Sequence, residues 1–442
     1  MIVTVKFSIP TTKRLTSERG AALLAAMCFA SVLAIALGSY ITVCYRSLQM
    51  SSRNSSSTHS VELAEVGMED ALWSLNKDDW SGWAISGTTA TKTLSGFTYD
   101  NGSTGSVGIT IINYDGSGAG SRVLTVTGTT TLSDGTTSNR TLTSTSAKAP
   151  LFVNAVATTT GRVKFRVAGT VDSYDSSLGD YSAQTPTYSA IVASASTSTS
   201  SATVQLVNAN IKGYVASLYS SGPSYSTSAT LRGPSTPLTT KIDTARVSSS
   251  PYQPLFDENA PSGAATLLPS GTATIGTPGA TSPTLYSATD VTLNGTQVLT
   301  VDGPVTLVVT GNLTISNTAK IRITTNGSLD IHLSGDLALD GSGIQNDTKL
   351  ARKLSVIAKA DNVYDSLEMG TATAFYGVIY TPNNSLTIST SQTIYGAIVA
   401  KSVTFNASPI IHYDLDLRDS TRGVFAGLVT PYAVSSWRET SQ

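Results

Sequence analysis

Charge is what this sequence has least of. Asp, Glu, Lys and Arg make up 13% of its 442 residues, about half the ~25% usual in soluble globular chains. Ser, Thr, Gly and Asn stand where Lys and Glu would be, which suits an exported β-rich protein better than a helical cytosolic enzyme. The net charge is −1 and the pI near 6.3, so no field steers the chain toward nucleic acid. Cysteine is almost missing as well. Cys28 and Cys44 both lie in one apolar segment, about 24 Å apart on a helix of ~1.5 Å per residue, too far for a bridge that needs Cα atoms within ~7 Å. The rest of the chain is excluded from disulfide, cysteine redox and cysteine–zinc chemistry, and must be stable through its β core.

Histidine and catalytic motifs are equally scarce. His59, His332 and His412 are far apart and none has a metal-ligand spacing such as HExxH. His332 falls on an outward-alternating strand position, where a solvated ring is expected. Phosphate loops, nucleophile elbows and Cys–His pairs are absent from the sequence. Asp172, Asp175 and Asp180 form a weak calcium candidate in one short loop, although Asx-turn chemistry explains them as well. Asp330, Asp336 and Asp340 make a remote candidate for the acid–base cluster of a carbohydrate-active enzyme. The repeat described below sets Asp336 opposite Asn312, a turn preference. The expectation is a chain that is not an enzyme and uses no cofactor.

What is present begins with a membrane signature. Lys6, Lys13, Arg14 and Arg19 precede 25 uncharged residues from Ala21 to Tyr45, roughly 37 Å of helix against a ~30 Å hydrocarbon core. The basic flank predicts a cytoplasmic N-terminus, an inner-membrane span at 21–45, and everything after Arg46 outside. Proline does not occur between Pro10 and Pro150, so helix is expected to continue over 46–78. There Val61, Ala64, Met68, Ala71 and Leu75 form a stripe at 3–4 spacing, facing either its own globular domain or a neighbouring subunit. A bend or break is allowed in the Ser-rich stretch 51–60. Ala36-Leu37-Gly38 before Ser39 leaves open an ordinary secretory cleavage.

Residues 79–148 read as a small sheet. Runs at 107–113 and 123–128 are separated by turn sequences at Asp100-Asn-Gly, Asp115-Gly-Ser-Gly and Asp134-Gly. From 149 to 422 short β runs recur. Gly311 and Leu313 match Gly335 and Leu337 at an offset of 24; Gly377 and Ile379 match Gly396 and Ile398 at an offset of 19. The following strands, 386–388 and 403–405, are offset by 17, as if two residues were deleted near Pro382-Asn383. Asn210-Ile-Lys-Gly-Tyr-Val has the shape of Thr393-Ile-Tyr-Gly-Ala-Ile. Such cassettes fit rungs of a right-handed parallel β-helix; a β-sandwich gives similar strands but no reason for the repeat. A Pro/Gly/Ser/Thr-rich stretch at 217–288 reads as an excursion from the stack, and 423–442 as a C-terminal tail. The fold class expected is mainly β with a long N-terminal α-helix: a small α+β piece, then a solenoid.

Two runs carry a family resemblance. Ser17-Glu18-Arg19-Gly20 before Ala21-Ala22-Leu23-Leu24-Ala25 resembles the processing site of type IV prepilins, and Ala64-Glu65-Val66-Gly67-Met68-Glu69-Asp70-Ala71-Leu72 resembles a stretch of PilX-type minor pilins. The resemblance implies a leader at 1–20, cleavage by a prepilin peptidase between Gly20 and Ala21, and a helix, including Leu23, Leu24, Ala25, Phe29 and Leu33, that joins other pilins or pseudopilins in a filament. Major pilins carry Glu where this chain has Ala25, which favours a minor or tip role. Val171-Asp-Ser-Tyr-Asp-Ser176 and Ile411-His-Tyr-Asp414 resemble stretches of β-helical ectodomains found behind such N-termini. That resemblance implies display at the cell surface for assembly or adhesion, with a surface glycan or host-cell ligand as a further partner.

Overall fold

The computed structural model describes residues 18–114, 122–148, 150, 152–197, 201–256, 260–358, 367–371, 373–418 and 432–441. Residues 1–17 of the expected leader at 1–20 and the turn at 115–118 lie outside this set. The chain divides into two compact units, residues 1–146 with 434–442, and residues 147–433.

The first unit is one helix on one antiparallel sheet. Helix α1 runs unbroken from Glu18 to Lys77, about 90 Å at 1.5 Å per residue. The Ser-rich stretch therefore does not break it, and the reason is packing. The buried face is Ser56, Ser60, Leu63, Ala64, Gly67, Ala71, Ser74 and Leu75. Small residues there let the sheet come close: a Cβ on Gly67 would sit 2.5 Å from Val107 Cγ1 and 2.6 Å from Val126 Cγ1. From the sheet side, a Cβ on Gly128 would collide with the Ser60 carbonyl oxygen. Ser60 turns its hydroxyl into the contact and donates to the carbonyl of Ser138 at 2.8 Å. The sequence stripe needs correction here. Ala64, Ala71 and Leu75 are on the buried face, but Val61 and Met68 are only half-buried on its flank.

Strands β1 (Ala84–Ser86), β2 (Thr89–Thr98), β3 (Thr104–Ile112), β4 (Arg122–Thr131) and β5 (Thr137–Lys148) follow in spatial order with antiparallel pairing. Alternate residues Val107, Ile109, Ile111, Leu124, Val126 and Leu142 are buried, the period-2 pattern of a sheet with one covered face. A second correction concerns the tail. Tyr432–Ser441 is a strand that adds to the free edge of β5, where Ser144 Oγ donates to the Ser436 carbonyl at 2.8 Å.

The second unit is a large β-rich domain, and its pairings are parallel. Leu313 pairs with Leu337, and Gly377, Ile379 and Leu386 pair with Gly396, Ile398 and Val403. The register slips between Thr381 and Ser385, where the sequence offset changes from 19 to 17. Leu313, Leu337, Ile379 and Ile398 are fully buried within one continuous apolar core. The glycines mark close backbone approach: a Cβ on Gly335 would collide with the Gly311 carbonyl, one on Gly396 with that of Gly377, and one on Gly213 with that of Ala190.

The order of layers is not the order of the chain. Strands at 284–288, 304–309, 328–333, 354–358, 375–388 and 393–405 stack in sequence. The 393–405 strand then pairs with 156–158 and 163–165, and 410–414 pairs with 170–174. Beyond these come 190–194, 204–206 and 209–217, then 230–232 and 247–248. The stretch at 217–288 is thus not an excursion throughout. Its first part builds layers at one end of the stack, and 266–267 with 284–288 builds them at the other. The chain between runs back along the stack. There Asn154 Nδ2 donates to the Tyr252 carbonyl (2.8 Å), and the Phe256 amide donates to the Tyr380 hydroxyl (2.7 Å).

Candidate functional site

One set of polar side chains in the β-rich domain grows directly out of its register. Tyr376 pairs with Tyr395, Tyr395 with His412, and His412 with Asp172, so one strand position becomes a column across four layers. The tyrosine rings stack at 4.2 Å and 2°, and His412 lies 4.8 Å below Tyr395. His412 Nδ1 meets Asp172 Oδ1 at 2.5 Å. Tyr181, from the loop after 170–174, covers the imidazole at 3.6 Å and donates its hydroxyl to Asp172 Oδ2 at 2.9 Å. Lys212 Nζ stands 3.9 Å from the same oxygen. Burial first, then the bond to Asp172, pushes the Tyr181 phenol well above its usual range.

A second polar knot lies two residues along. Asp414 pairs with Tyr174 and accepts hydrogen bonds from the amides of Ser176 (2.9 Å) and Asp416 (3.1 Å). Its Oδ2 and the Tyr174 hydroxyl are both buried without a hydrogen-bond partner among the described residues. Burial raises the Asp414 carboxyl above the ordinary carboxylate range, against those two amides. Asp416 is ion-paired with Arg352. Tyr413, buried beside Arg418, is pushed up to about 12.

The geometry holds a loop onto the stack. Only 8% of the His412 side chain is exposed, and a general base must reach the proton it takes. The three aspartates of the calcium candidate go separate ways. Asp172 faces His412 and Tyr181, Asp175 caps a short helix by accepting from Ser177 N at 2.9 Å, and Asp180 pairs with Lys349 at 2.7 Å. No group of three His, Cys, Asp or Glu able to hold a metal occurs among the described residues. His332 is 5% exposed, not solvated as its outward position implies.

Sequence reasoning missed the His412–Asp172 pair because 240 residues separate its members. The clue was available: the two stretches quoted for their resemblance, 171–176 and 411–414, are next-layer neighbours, Ile411 on Val171 and His412 on Asp172.

At the other end of the chain, α1 divides into two parts. From 22 to 50 every described residue is exposed, with Leu23, Leu24, Phe29 and Leu33 at 65%, 68%, 72% and 58%; Ala25 lies on the same bare stretch. Gly20 and Ala21 are within the helical backbone. Among the described residues this is the helix long and apolar enough to cross a membrane.

Comparison with known proteins adds little to this geometry. The family described as Domain of unknown function (DUF7305) matches residues 239–420, less than half of the chain. No curated protein sequence matches. The crystal structure of competence-associated pilin ComZ from Thermus thermophilus aligns over 88% of this chain and 98% of that one, at 11% identity and a TM-score of 0.25. A likeness that weak carries no argument about this protein.

Proposed function

We propose that this chain is a non-enzymatic, pilin-like structural protein, a minor pilin or pseudopilin, anchored by α1 in the inner membrane and displaying its β-rich domain outside. The observation that carries this reading is the division of α1. Its first half is bare apolar surface on all sides, as a helix in lipid or in a filament core requires. Its second half packs by small residues on an antiparallel sheet. The Gly20–Ala21 junction, with its basic flank, supports processing by a prepilin peptidase and assembly with other pilins. Ala25 supports a minor or tip position, because an acid there would need a partner's amine inside the membrane. The parallel layers support a right-handed β-helix, a rigid scaffold for assembly or for adhesion to a surface glycan or another cell-surface ligand.

The test is the N-terminal residue of the protein recovered from cells, read by mass spectrometry of its terminal peptide. Ala21 is the expected outcome. Ser39 would remove the filament and leave a secreted β-rich surface binder. An unprocessed Met1 would leave a static anchor.

A further inference from the structure

Helix α1 carries two exposed faces that match each other. Cys28, Arg46, Met50 and Arg53 are all exposed, and so are Cys44, Glu62, Val66 and Glu69. Each residue of the second set stands 16 positions after its counterpart in the first. Positions 28 and 46 are separated by about five whole turns, so with 50 and 53 they share one side of the helix within about 60°. The second set repeats that arrangement about 160° round the helix and roughly 24 Å further along it. The counterparts therefore cannot meet within one chain.

Charge sets the offset. Arg46 and Arg53 are the only bases on α1 seven positions apart, and Glu62 and Glu69 the only acids. Arg46, Arg53 and Glu69 make no ion pair among the described residues, and Glu62 meets His59 at 3.1 Å. Asp134 is near enough for Arg53 to act on it, but the two are not in contact. Between the charges lie Met50, 67% exposed, and Val66, 43% exposed. The same offset carries Cys28 to Cys44, which no charge requires, and Thr42 to Thr58. Both threonine hydroxyls donate to carbonyls of their own helix, those of Gly38 and Asn54, leaving short, satisfied side chains of the kind that lets helices approach closely in lipid. From Ala21 to Tyr45 α1 has no charge, so nothing electrostatic fixes a register there, and the charges that follow supply it.

We propose that α1 of one copy packs parallel to α1 of a second copy with a stagger of 16 residues. Arg46 then faces the second copy's Glu62, Met50 its Val66, Arg53 its Glu69 and Cys28 its Cys44. With helix axes about 9–10 Å apart, facing Cα atoms lie about 5 Å from each other, inside the range a disulfide spans. The two faces are on opposite sides of α1, so the contact is heterologous and can repeat from copy to copy. A short run of copies at a filament end satisfies it, in keeping with Ala25. The inference rests on the reading of α1 as a filament helix. Two anchors side by side in a bilayer lie at equal depth, which sets each cysteine level with its own counterpart; only staggered copies bring Cys28 to Cys44.

The experiment oxidises envelopes of cells making the full-length protein with copper–phenanthroline and reads the products by non-reducing electrophoresis and mass spectrometry of the linked peptides. The Cys28–Cys44 link is expected, as a ladder extending beyond the dimer because each copy offers one of each. Cys28→Ser should end the ladder. Arg53→Glu should lower the yield of Cys28–Cys44 roughly fivefold, the upper scale for an exposed ion pair, and adding Glu69→Arg should restore it. A variant that merely misfolds gains nothing from that second reversal. Links between like cysteines alone, no linked product, or a yield indifferent to Arg53→Glu would each overturn the stagger. The terminal peptide separates the two readings. A start at Ala21 with only like-cysteine links loses the stagger and keeps the filament, whereas a start at Ser39 removes Cys28 from the chain and ends both.

Discussion

The two units reach stability from the same charge-poor composition by opposite routes. In the first, β1 to β5 pair in sequence order before the distant tail strand joins the edge of β5, and the decisive contacts involve small residues: Ser60, Ala64 and Gly67 on α1 against Val107, Val126 and Gly128 on the sheet. In the second, aliphatic side chains pair with their counterparts one layer away, and strands more than 200 residues apart become partners. Closeness of backbones limits the first; filling of a continuous core limits the second. Ser and Thr serve both. They permit close approach on a helix and make outward-facing strand positions soluble without charge.

All four tryptophans, Trp73, Trp80, Trp83 and Trp437, belong to the first unit, so tryptophan fluorescence reports that unit and circular dichroism reports both. The largest effect is expected from Gly128→Val, which drives a side chain into the Ser60 carbonyl. It should cost the first unit more than about 4 kcal/mol and erase its fluorescence transition in urea while the β-rich domain unfolds as before. Simultaneous loss of both transitions would show that the units do not fold independently. Next is Leu337→Ala, which empties a fully buried core position and should cost about 2–5 kcal/mol, seen by circular dichroism with the fluorescence transition unmoved.

The smallest effect is expected from Asp414→Asn, within about 1 kcal/mol near neutral pH. Its sign depends on pH. Burial raises the folded carboxyl above its unfolded value, so the parent's contribution is fully present below the unfolded value and is lost as pH rises through the folded one. The variant lacks that loss, and its advantage over the parent should grow with pH across that window. A pH-independent difference would mean that burial does not raise the Asp414 carboxyl.

Much of the fold was legible because it is written in local periodicity. The apolar run from Ala21 and the absence of proline place α1, and the 24-residue spacing of Gly311–Leu313 and Gly335–Leu337 is the register of those strands. What escaped is whatever local pattern does not encode. Hydrophobicity alone puts Met68 in the helix stripe; Gly67 and Ser60 are on the real face because a sheet must approach closely there. The stretch at 423–442 reads as a tail, but 432–441 pairs with β5 through its backbone, which periodicity does not report. The His412–Asp172 column is visible only when two layers distant in sequence are placed one above the other.

That stacking also sets an order of completion. Chains emerge from synthesis N-terminus first, so the strands at 156–174 exist long before 393–414, the strands that cover one of their two edges. In that interval a parallel edge lies bare, the kind of surface that templates misassembly. Pairing across so long a stretch of chain is intrinsically slow. The domain's vulnerable period thus lasts until its final strands arrive, and a chain shortened before residue 393 would keep that edge open permanently. This stack is finished in its interior, not at an end.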